Sequence, residues 1–314
     1  MKTQKTYQYP LYLPRLVPKA VLIIVSFISL SLYAETLLAV LGSGTPNPDP
    51  NRTGSAYAVM ANEQAYLVDF GPGVVRSAAA LSTTWGGRFK ELEVKNLEYA
   101  FLTHIHSDHS AGLSDLILTP WVLGRNTPLK LFGPAELAKM ADHILTAYED
   151  DINYRINGSQ PSNAEGYKTI FIENKEGVIF KDANVTVRAF RVNHGNLKDS
   201  YGYSFITKDK KIVFSGDTAP SEVLIKEAFD ADILVHEVYS EEGFKQKTKD
   251  WQAYHKAHHT SSVEVGLIAN KVKPQKLVLS HVLFWGADKK SILKDVGLNF
   301  KGETILAEDQ MVIR

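Results

Sequence analysis

The chain has 314 residues, of which 44% are hydrophobic, so it can bury the core of one large domain or of two modest ones. It contains no cysteine, which excludes disulfides, thiolate metal ligands and lipid attachment to cysteine. Its formal charge is zero, so the chain as a whole lacks the excess of basic over acidic residues that nucleic-acid binders usually show.

The N-terminal segment has the pattern of a secretory signal. The first acidic residue is preceded by four basic residues, Lys2, Lys5, Arg15 and Lys19. The apolar run AVLIIVSFISLSLYA then fills residues 20–34. We therefore predict a signal peptide over residues 1–34, export to the periplasm or secretion, and one domain over residues 35–314. The run is shorter than the roughly 20 residues that span a bilayer, so we expect no stable membrane span after its removal; an uncleaved anchor is the alternative.

The first half of the domain is predicted to be rich in strands. LLAVLGSG over residues 37–44 predicts a buried strand that runs into a glycine turn. SAYAVMANEQAYLVDFGPG predicts a hairpin that turns at ANEQ, and LEYAFLTH predicts a strand that ends at His104. An apolar stripe predicts a helix over residues 134–150, with Pro134 in its first turn.

The second half repeats this strand-rich pattern. We predict strands in VTVRAFRVNHG, ADILVHEVY, KLVLSH and ETILAEDQMVIR, a hairpin in YGYSFITKDKKIVFSGD, and a helix in SSVEVGLIANKV. Two strand-rich halves with helices predict two stacked sheets covered by helices. His104, His194, Asp217 and His281 each follow an apolar strand, where folds of strands and helices usually place their sites.

The densest group of metal-binding side chains lies in THIHSDHSAGL, residues 103–113. His104 and His106 can converge on one metal from a tight loop, while Asp108 and His109 can point to a second position. Imidazole and carboxylate suit zinc and other divalent metals. A polar surface loop with incidental histidines is the alternative.

The motifs LVDFGPG, THIHSDH, VNHG, SGDT and LSHV, in this order, resemble the metallo-β-lactamase superfamily from about Leu37 to the end of the chain. The resemblance implies an α+β fold of the αββα sandwich type, with two stacked mixed β-sheets flanked by helices. It also implies two divalent metal ions per chain, Zn²⁺ in the first place and Mn²⁺ or Fe as alternatives, and a supporting role for Asp69. The implied ligands are His104, His106 and His194 for the first metal, Asp108, His109 and His281 for the second, and Asp217 as the bridge.

Three further motifs, LGSGTPNPDPNRTGSAY, HEVY and HHTSS, resemble the ribonuclease Z and arylsulfatase-like branch. The resemblance implies that Glu237 orients His259 and keeps it protonated, so that the imidazolium steadies the substrate or protonates the leaving group. Asp108 is expected to be catalytic as well as a ligand. A histidine at a helix start without a catalytic role is the alternative for His259.

The charge of the chain predicts the absence of a nucleic-acid partner. Without residues 1–34 the charge is 31 − 35 = −4. The stretch between His109 and His194, where ribonuclease Z carries a basic arm, is mixed and slightly acidic. We therefore expect no transfer RNA processing.

Aromatic residues next to the expected site predict a small-molecule ester substrate with an aromatic group, although core packing is the alternative. They are Trp251, Tyr254, Phe284 and Trp285. We predict an exported di-metal hydrolase that cleaves phosphodiester or aryl sulfate bonds with a metal-activated hydroxide. The alternatives are a carbonyl-ester hydrolase for lactones or thioesters and a non-catalytic binding module of the same fold. The resemblance also implies a possible homodimer.

Overall fold

The computed structural model of the chain describes residue 8 and residues 35–314. Apart from residue 8, the predicted signal peptide over residues 1–34 lies outside the described residues. Its cleavage, the export of the chain and the domain boundary at residue 34 therefore stay predictions.

Fourteen strands are present within residues 35–314, and most of them follow the apolar runs of the sequence. In chain order they are β1 (Leu37–Gly42), β2 (Ala56–Ala61), β3 (Gln64–Val68), β4 (Tyr99–Phe101), β5 (Leu129–Gly133), β6 (Thr169–Glu173), β7 (Gly177–Lys181), β8 (Thr186–Arg191), β9 (Tyr201–Ile206), β10 (Lys211–Phe214), β11 (Ile233–Tyr239), β12 (Lys276–Leu283), β13 (Glu303–Leu306) and β14 (Val312–Ile313).

Ten α-helices connect these strands in the same part of the chain. They are α1 (Val74–Leu81), α2 (Ser107–Ser110), α3 (Leu113–Val122), α4 (Glu136–Ala147), α5 (Glu149–Asn157), α6 (Glu222–Ala228), α7 (Glu241–Lys245), α8 (Lys249–His258), α9 (Ser262–Val272) and α10 (Lys289–Asn299). Among the described residues, no helix is both long and apolar enough to cross a membrane.

The strands form two seven-stranded mixed sheets, with the orders β14-β1-β2-β3-β4-β5-β6 and β13-β12-β11-β10-β9-β8-β7. In each sheet the strands joined by hairpins pair antiparallel, as β2 does with β3 and β9 with β10. The strands joined through helices pair parallel, as β4 does with β5 and β11 with β12. This split follows from the connections, because a short turn can only reverse the chain whereas a crossover returns it in the same direction.

Three apolar layers hold the sheets and helices together. One layer lies between the sheets and contains Val59, Phe101, Tyr203 and Phe214. A second packs α1, α3 and α4 on the outer face of the first sheet, and a third packs α6, α9 and α10 on the second sheet. The predicted αββα sandwich of two stacked mixed sheets is therefore confirmed.

The predicted helix over residues 134–150 is wrong in its bounds, because the chain forms two helices here. α4 ends at Ala147, and Tyr148 leaves helical geometry with a φ of −105° and a ψ of 15°. Three acidic residues then fall in the first turn of α5, where negative charge stabilises the start of a helix. Pro134 precedes α4, and its carbonyl oxygen accepts a hydrogen bond from the Leu137 amide at 3.0 Å.

The prediction that His281 follows the end of its strand is also wrong, because β12 continues to Leu283. Glu237 of β11 pairs with Ser280 and Val238 pairs with Val282, so His281 is an extra residue that has no partner in the ladder. Its φ of 47° lies in the left-handed region. A bulge of this kind bends the strand and redirects a side chain, which here places the imidazole in the site.

Candidate metal centre

The loop after β4 brings the THIHSDH motif to the edge of the first sheet. β4 ends at Phe101, and α2 begins at Ser107 with His106 as the preceding cap residue. The side chains of His104, Asp108 and His109 are buried, and that of His106 is half-buried. A strand end followed within a few residues by a short helix therefore fixes four ligand-capable side chains in one place.

Three imidazoles form the first cluster. The His106 Nδ1 atom lies 3.0 Å from His104 Nε2 and 3.2 Å from His194 Nε2. The three ligand atoms all lie within 4.8 Å of one another. Neutral imidazole nitrogens that face each other in this way offer lone pairs to a common centre, which is the donor arrangement that a divalent cation requires.

The second cluster contains Asp108, His109 and His281, whose ligand atoms also lie within 4.8 Å of one another. Asp108 Oδ2 is 2.9 Å from His281 Nε2 and 3.5 Å from His109 Nε2. All three side chains are buried. The mixed nitrogen and oxygen donors again suit a divalent metal.

Asp217 lies between the two clusters. Its Oδ2 atom is 3.9 Å from His104 Nε2 and 3.5 Å from His109 Nε2, and its Oδ1 atom is 3.5 Å from His281 Nδ1. The turn that presents Asp217 requires glycine, because Gly216 has a φ of +59° and a Cβ there would lie 2.6 Å from the Tyr201 carbonyl oxygen. Asp217 thus occupies the place that a bridging carboxylate needs.

Further hydrogen bonds set the direction of the imidazoles. Asp69 Oδ2 lies 2.7 Å from His109 Nδ1 and accepts a hydrogen bond from the Thr103 hydroxyl at 3.1 Å. His194 Nδ1 donates to the His258 carbonyl oxygen at 2.8 Å. These contacts occupy Nδ1 of His109 and of His194 and leave the Nε2 atoms of these two residues free to bind a metal, the usual arrangement behind a metal-bound histidine.

Several buried ligand atoms in the site have no hydrogen-bond partner among the described residues. They are His109 Nε2, Asp217 Oδ1 and His281 Nδ1, together with Glu237 Oε2 and His259 Nδ1 beside them. An unpaired polar atom in the interior costs free energy, so a convergent set of such atoms fits bound cations. The residues present therefore suit two divalent ions, one at each cluster.

The pKa values show how strongly the site favours positive charge near Asp217. Burial opposes its ionisation, yet the imidazoles of His281 and His109 hold the pKa of Asp217 well below its usual range. Burial alone would lower the pKa of His109, but Asp217 and the neighbouring Asp108 and Asp69 carboxylates hold it well above its usual value. A divalent cation would replace this proton, so metal binding is expected to weaken as the pH falls.

Glu237 and His259 lie together beside this centre. His259 follows the end of α8, and its Nδ1 atom is 3.4 Å from Glu237 Oε2. The amides of Thr260 and Thr218 donate to Glu237 Oε1 at 2.7 and 3.4 Å, which fixes the carboxyl group.

The protonation of this pair follows from its burial. Burial lowers the pKa of His259 to about 4, and burial together with Asp217 raises the pKa of Glu237 well above its usual range. The protein groups alone therefore favour one proton on Glu237 over a carboxylate with an imidazolium, which differs from the expectation that Glu237 keeps His259 protonated.

The structure brings all of the sequence-predicted site residues into one place, including Asp69. His259 also lies near enough to Asp217 and His194 to complete a three-ligand group, so its catalytic role and the assignment of individual ligands stay predictions. Sequence reasoning missed the amides of Thr218 and Thr260, because a backbone donor leaves no residue-type signal. It also missed the His258 carbonyl oxygen for the same reason.

Residues 64–282, more than half of the chain, match the family model described as "Beta-lactamase superfamily domain". Ribonuclease Z of Mycobacterium bovis (strain BCG / Pasteur 1173P2) is 32% identical over 255 residues, which cover 78% of this chain and 85% of the relative. Ribonuclease Z of Mycobacterium marinum (strain ATCC BAA-535 / M) is 32% identical over 251 residues, with the same coverage of both chains.

Solved structures agree on the fold. The metallo-beta-lactamase fold protein YhfI from Bacillus subtilis has a TM-score of 0.66 at 20% identity, with 90% of this chain and 100% of that chain covered. The short form of human tRNase Z has a TM-score of 0.63 at 24% identity, with 88% and 98% covered.

These relatives correct two predictions. The expectation of a hydrolase of phosphodiester or aryl sulfate bonds in a small-molecule ester was wrong in its substrate, because the relatives that match most of the chain are named ribonuclease Z. The expectation that nucleic acid is not a partner was wrong for the same reason. The family match and the clustered histidines and aspartates also favour a metal-dependent hydrolase over the binding-module alternative. The chain belongs to the β-lactamase superfamily, within its ribonuclease Z branch, and is a metal-dependent hydrolase.

Proposed function

We propose that the chain cleaves phosphodiester bonds in RNA. The observation that carries the proposal is the pair of ligand clusters joined by Asp217 beside Glu237 and His259. An open cleft reaches them, and its lining includes His106, Asp108, Asp217, His259 and His281. The ribonuclease Z relatives support RNA as the substrate class. The cleft has a volume of about 360 Å³, which gives a phosphodiester linkage access to the buried ligands.

The residues of the two clusters would hold the ions. His104, His106 and His194 would hold one, and Asp108, His109 and His281 the other, with Asp217 shared between them. When bound, two such ions supply positive charge that lowers the pKa of a water molecule and neutralises charge on the phosphate oxygens. We propose zinc as the metal because five of the seven ligand side chains are imidazoles, although manganese or iron can use the same donors.

The protein groups supply the proton. Glu237 is held by two backbone amides, and its Oε2 atom lies 3.4 Å from His259 Nδ1 with no hydrogen bond between them. A closer approach on substrate binding would let the carboxyl group pass a proton to the imidazole. His259 lines the cleft and can deliver a proton to the departing oxygen of the nucleotide. Asp108 lines the same cleft, and its catalytic role in addition to metal binding stays a prediction.

A cleavage assay tests the proposal. Purified chain loaded with Zn²⁺ or Mn²⁺ should cut end-labelled precursor transfer RNA that carries a single-stranded 3′ extension. Asp217→Asn should abolish cleavage and reduce metal content, because the shared ligand loses its charge. Asp115→Asn is the matched control, since this carboxylate contacts Arg76 and Thr119 outside the site. Folded protein that holds two ions and cuts no RNA would overturn the proposal.

A further inference from the structure

Helix α8 carries an unusual row of rings. Trp251, Tyr254, His255 and His258 stand at positions i, i+3, i+4 and i+7, so they share one face of the helix. Such a face is normally aliphatic and buried against a core. Here every member is aromatic or an imidazole, and the row leads to His259 at the end of the helix.

Two of these rings are exposed although they lie beside the site. Trp251 is 54% exposed and Tyr254 is 39% exposed. The Trp251 ring is stacked with His255 at 5.5 Å between centroids, and Tyr254 is stacked with His258 at 4.0 Å. Each exposed ring thus has support from an imidazole on its own helix. The two rings are therefore oriented surfaces available to a planar partner, not members of the apolar core.

Trp251 and Tyr254 form an aromatic wall of the cleft that also contains metal ligands. Its lining includes Trp251, Tyr254 and Trp285 together with His106, Asp108 and His259. Trp285 has a φ of 47°, a left-handed conformation that is strained for a bulky residue. Because the wall and the metal ligands line one cleft, a planar group on the wall would lie next to a bond held at the metal centre.

A local positive charge accompanies the wall. Residues 245–256, KQKTKDWQAYHK, contain four lysines and one aspartate, a formal charge of 4 − 1 = +3. Lys247 lines the cleft, and its Nζ atom lies 4.7 Å from the centroid of the Trp285 ring. Aromatic faces beside cationic side chains are the combination that binds single-stranded nucleic acid, because rings stack on bases while cations contact phosphates.

We infer that Trp251 stacks on a base of the single-stranded nucleotide next to the scissile phosphate, with Lys247 near the adjoining phosphate. Tyr254, whose ring plane is 83° from that of Trp251, would contact the edge of the same base. The inference rests on the proposed function and names the part of the RNA that the cleft binds. Stacking on a ring face is tolerant of base identity. The wall therefore selects an unpaired nucleotide and not a particular sequence.

The test compares Trp251→Ala with Trp85→Ala. Trp85 is also exposed, at 72%, and lines a different groove with Val75 and Leu123, so it controls for the loss of a surface indole. Trp251→Ala should lower kcat/KM for RNA by about 5- to 150-fold, the range for one stacked base, while Trp251→Phe keeps most of the activity. Trp85→Ala should match the unchanged chain.

An abasic substrate makes the test specific. Two RNAs are compared, one without the base before the scissile bond and one without the base after it. With the unchanged chain, one of these two RNAs should show a kcat/KM that is lower by a similar factor than that of intact RNA. For the Trp251→Ala chain, removing that base should cause no further fall in kcat/KM, because the ring and the base contribute through a single shared interaction. Equal cleavage of intact RNA and of both abasic RNAs by the unchanged chain would overturn the inference, as would equal losses for Trp251→Ala and Trp85→Ala.

A binding measurement separates this inference from the proposed function. A 2′-O-methyl oligonucleotide should quench the tryptophan fluorescence of the metal-loaded chain, and Trp251→Phe should remove most of that quenching. Quenching without RNA cleavage would support the stacking wall while contradicting the ribonuclease proposal. Cleavage with the same quenching by intact and abasic oligonucleotides would contradict the wall alone.

Discussion

Replacing Asp69 by asparagine tests how the site controls the direction of its ligands. Asp69 Oδ1 accepts a hydrogen bond from the Thr103 amide at 2.8 Å, and Oδ2 lies 2.7 Å from His109 Nδ1. Asparagine has nearly the same shape and tolerates the φ of 57° found at this residue, so the backbone should be retained. Its oxygen can replace Oδ1, which leaves an NH₂ group facing His109.

The substitution should act through the tautomer of His109. With an amide donor opposite Nδ1, that nitrogen must accept, and the ring proton moves to Nε2. His109 Nε2 is the atom that lies 3.5 Å from both Asp108 and Asp217 at the second cluster. Losing such a supporting contact costs about 10- to 100-fold in metal affinity, equal to about 1.4 to 2.8 kcal/mol.

A metal competition titration with a chelating indicator measures this effect directly. Asp69→Asn should weaken one of the two metal sites by about that factor and leave the other near its original affinity. Asp182→Asn is the control, because this carboxylate accepts hydrogen bonds from Tyr66 and from the Asn184 amide away from the site. Unchanged affinity of both sites in folded Asp69→Asn would refute the role assigned to this hydrogen bond.

Three further outcomes are expected. Elemental analysis of the gently purified chain should find close to two divalent ions, and EDTA should abolish RNA cleavage until Zn²⁺ or Mn²⁺ is returned; a chain that cannot be reloaded would contradict the metal mechanism. His259→Ala should keep both ions and lose about 10²- to 10⁴-fold in rate, whereas loss of an ion would make His259 a ligand. Burial lowers the pKa of His236 to about 4, so its contribution to stability is complete above about pH 6.5 and is lost as the pH falls toward 4, by up to about 1.4 kcal/mol per unit. Urea unfolding of metal-free protein at several pH values should therefore show a shallower dependence for His236→Asn, and an unchanged slope would contradict this cause.

The sequence predicted the fold where residue pattern and local geometry coincide. Buried apolar runs such as those of β2 and β11 are flanked by turn residues, and they form strands as expected. The pattern failed where the apolar stripe continued through a break. Tyr148 separates α4 from α5 without proline or glycine, so nothing in the composition marks the end of the first helix. β6 and β7 have only half-buried or exposed side chains, and their apolar runs, IFI and VIF, are three residues long, so they were not predicted.

The candidate site was predictable in its residue types but not in its contacts. Each predicted ligand has a side chain whose chemistry is visible in the sequence, and the motifs of the family put them in order. The bulge that turns His281 into the site depends on how β12 pairs with β11, a contact between residues 40 or more positions apart. The backbone amides that hold Glu237 depend on the loops around Thr218 and Thr260 in the same way. Such long-range pairing is set by the packed sheets and has no local pattern.

The error about nucleic acid has a specific electrostatic cause. The charge of −4 on residues 35–314 describes the field far from the molecule, but salt screens exposed charges beyond roughly 8 to 10 Å. An RNA chain in the cleft therefore responds mainly to the charges within that distance. Those include Lys247 and the cations that the ligand clusters suit, which offset the Asp108 and Asp217 carboxylates in the same cleft. The acidic residues 149–151 lie in another helix, α5, which does not line the cleft. Whole-chain charge is therefore a poor predictor of a phosphate substrate whenever the binding site carries its own cations.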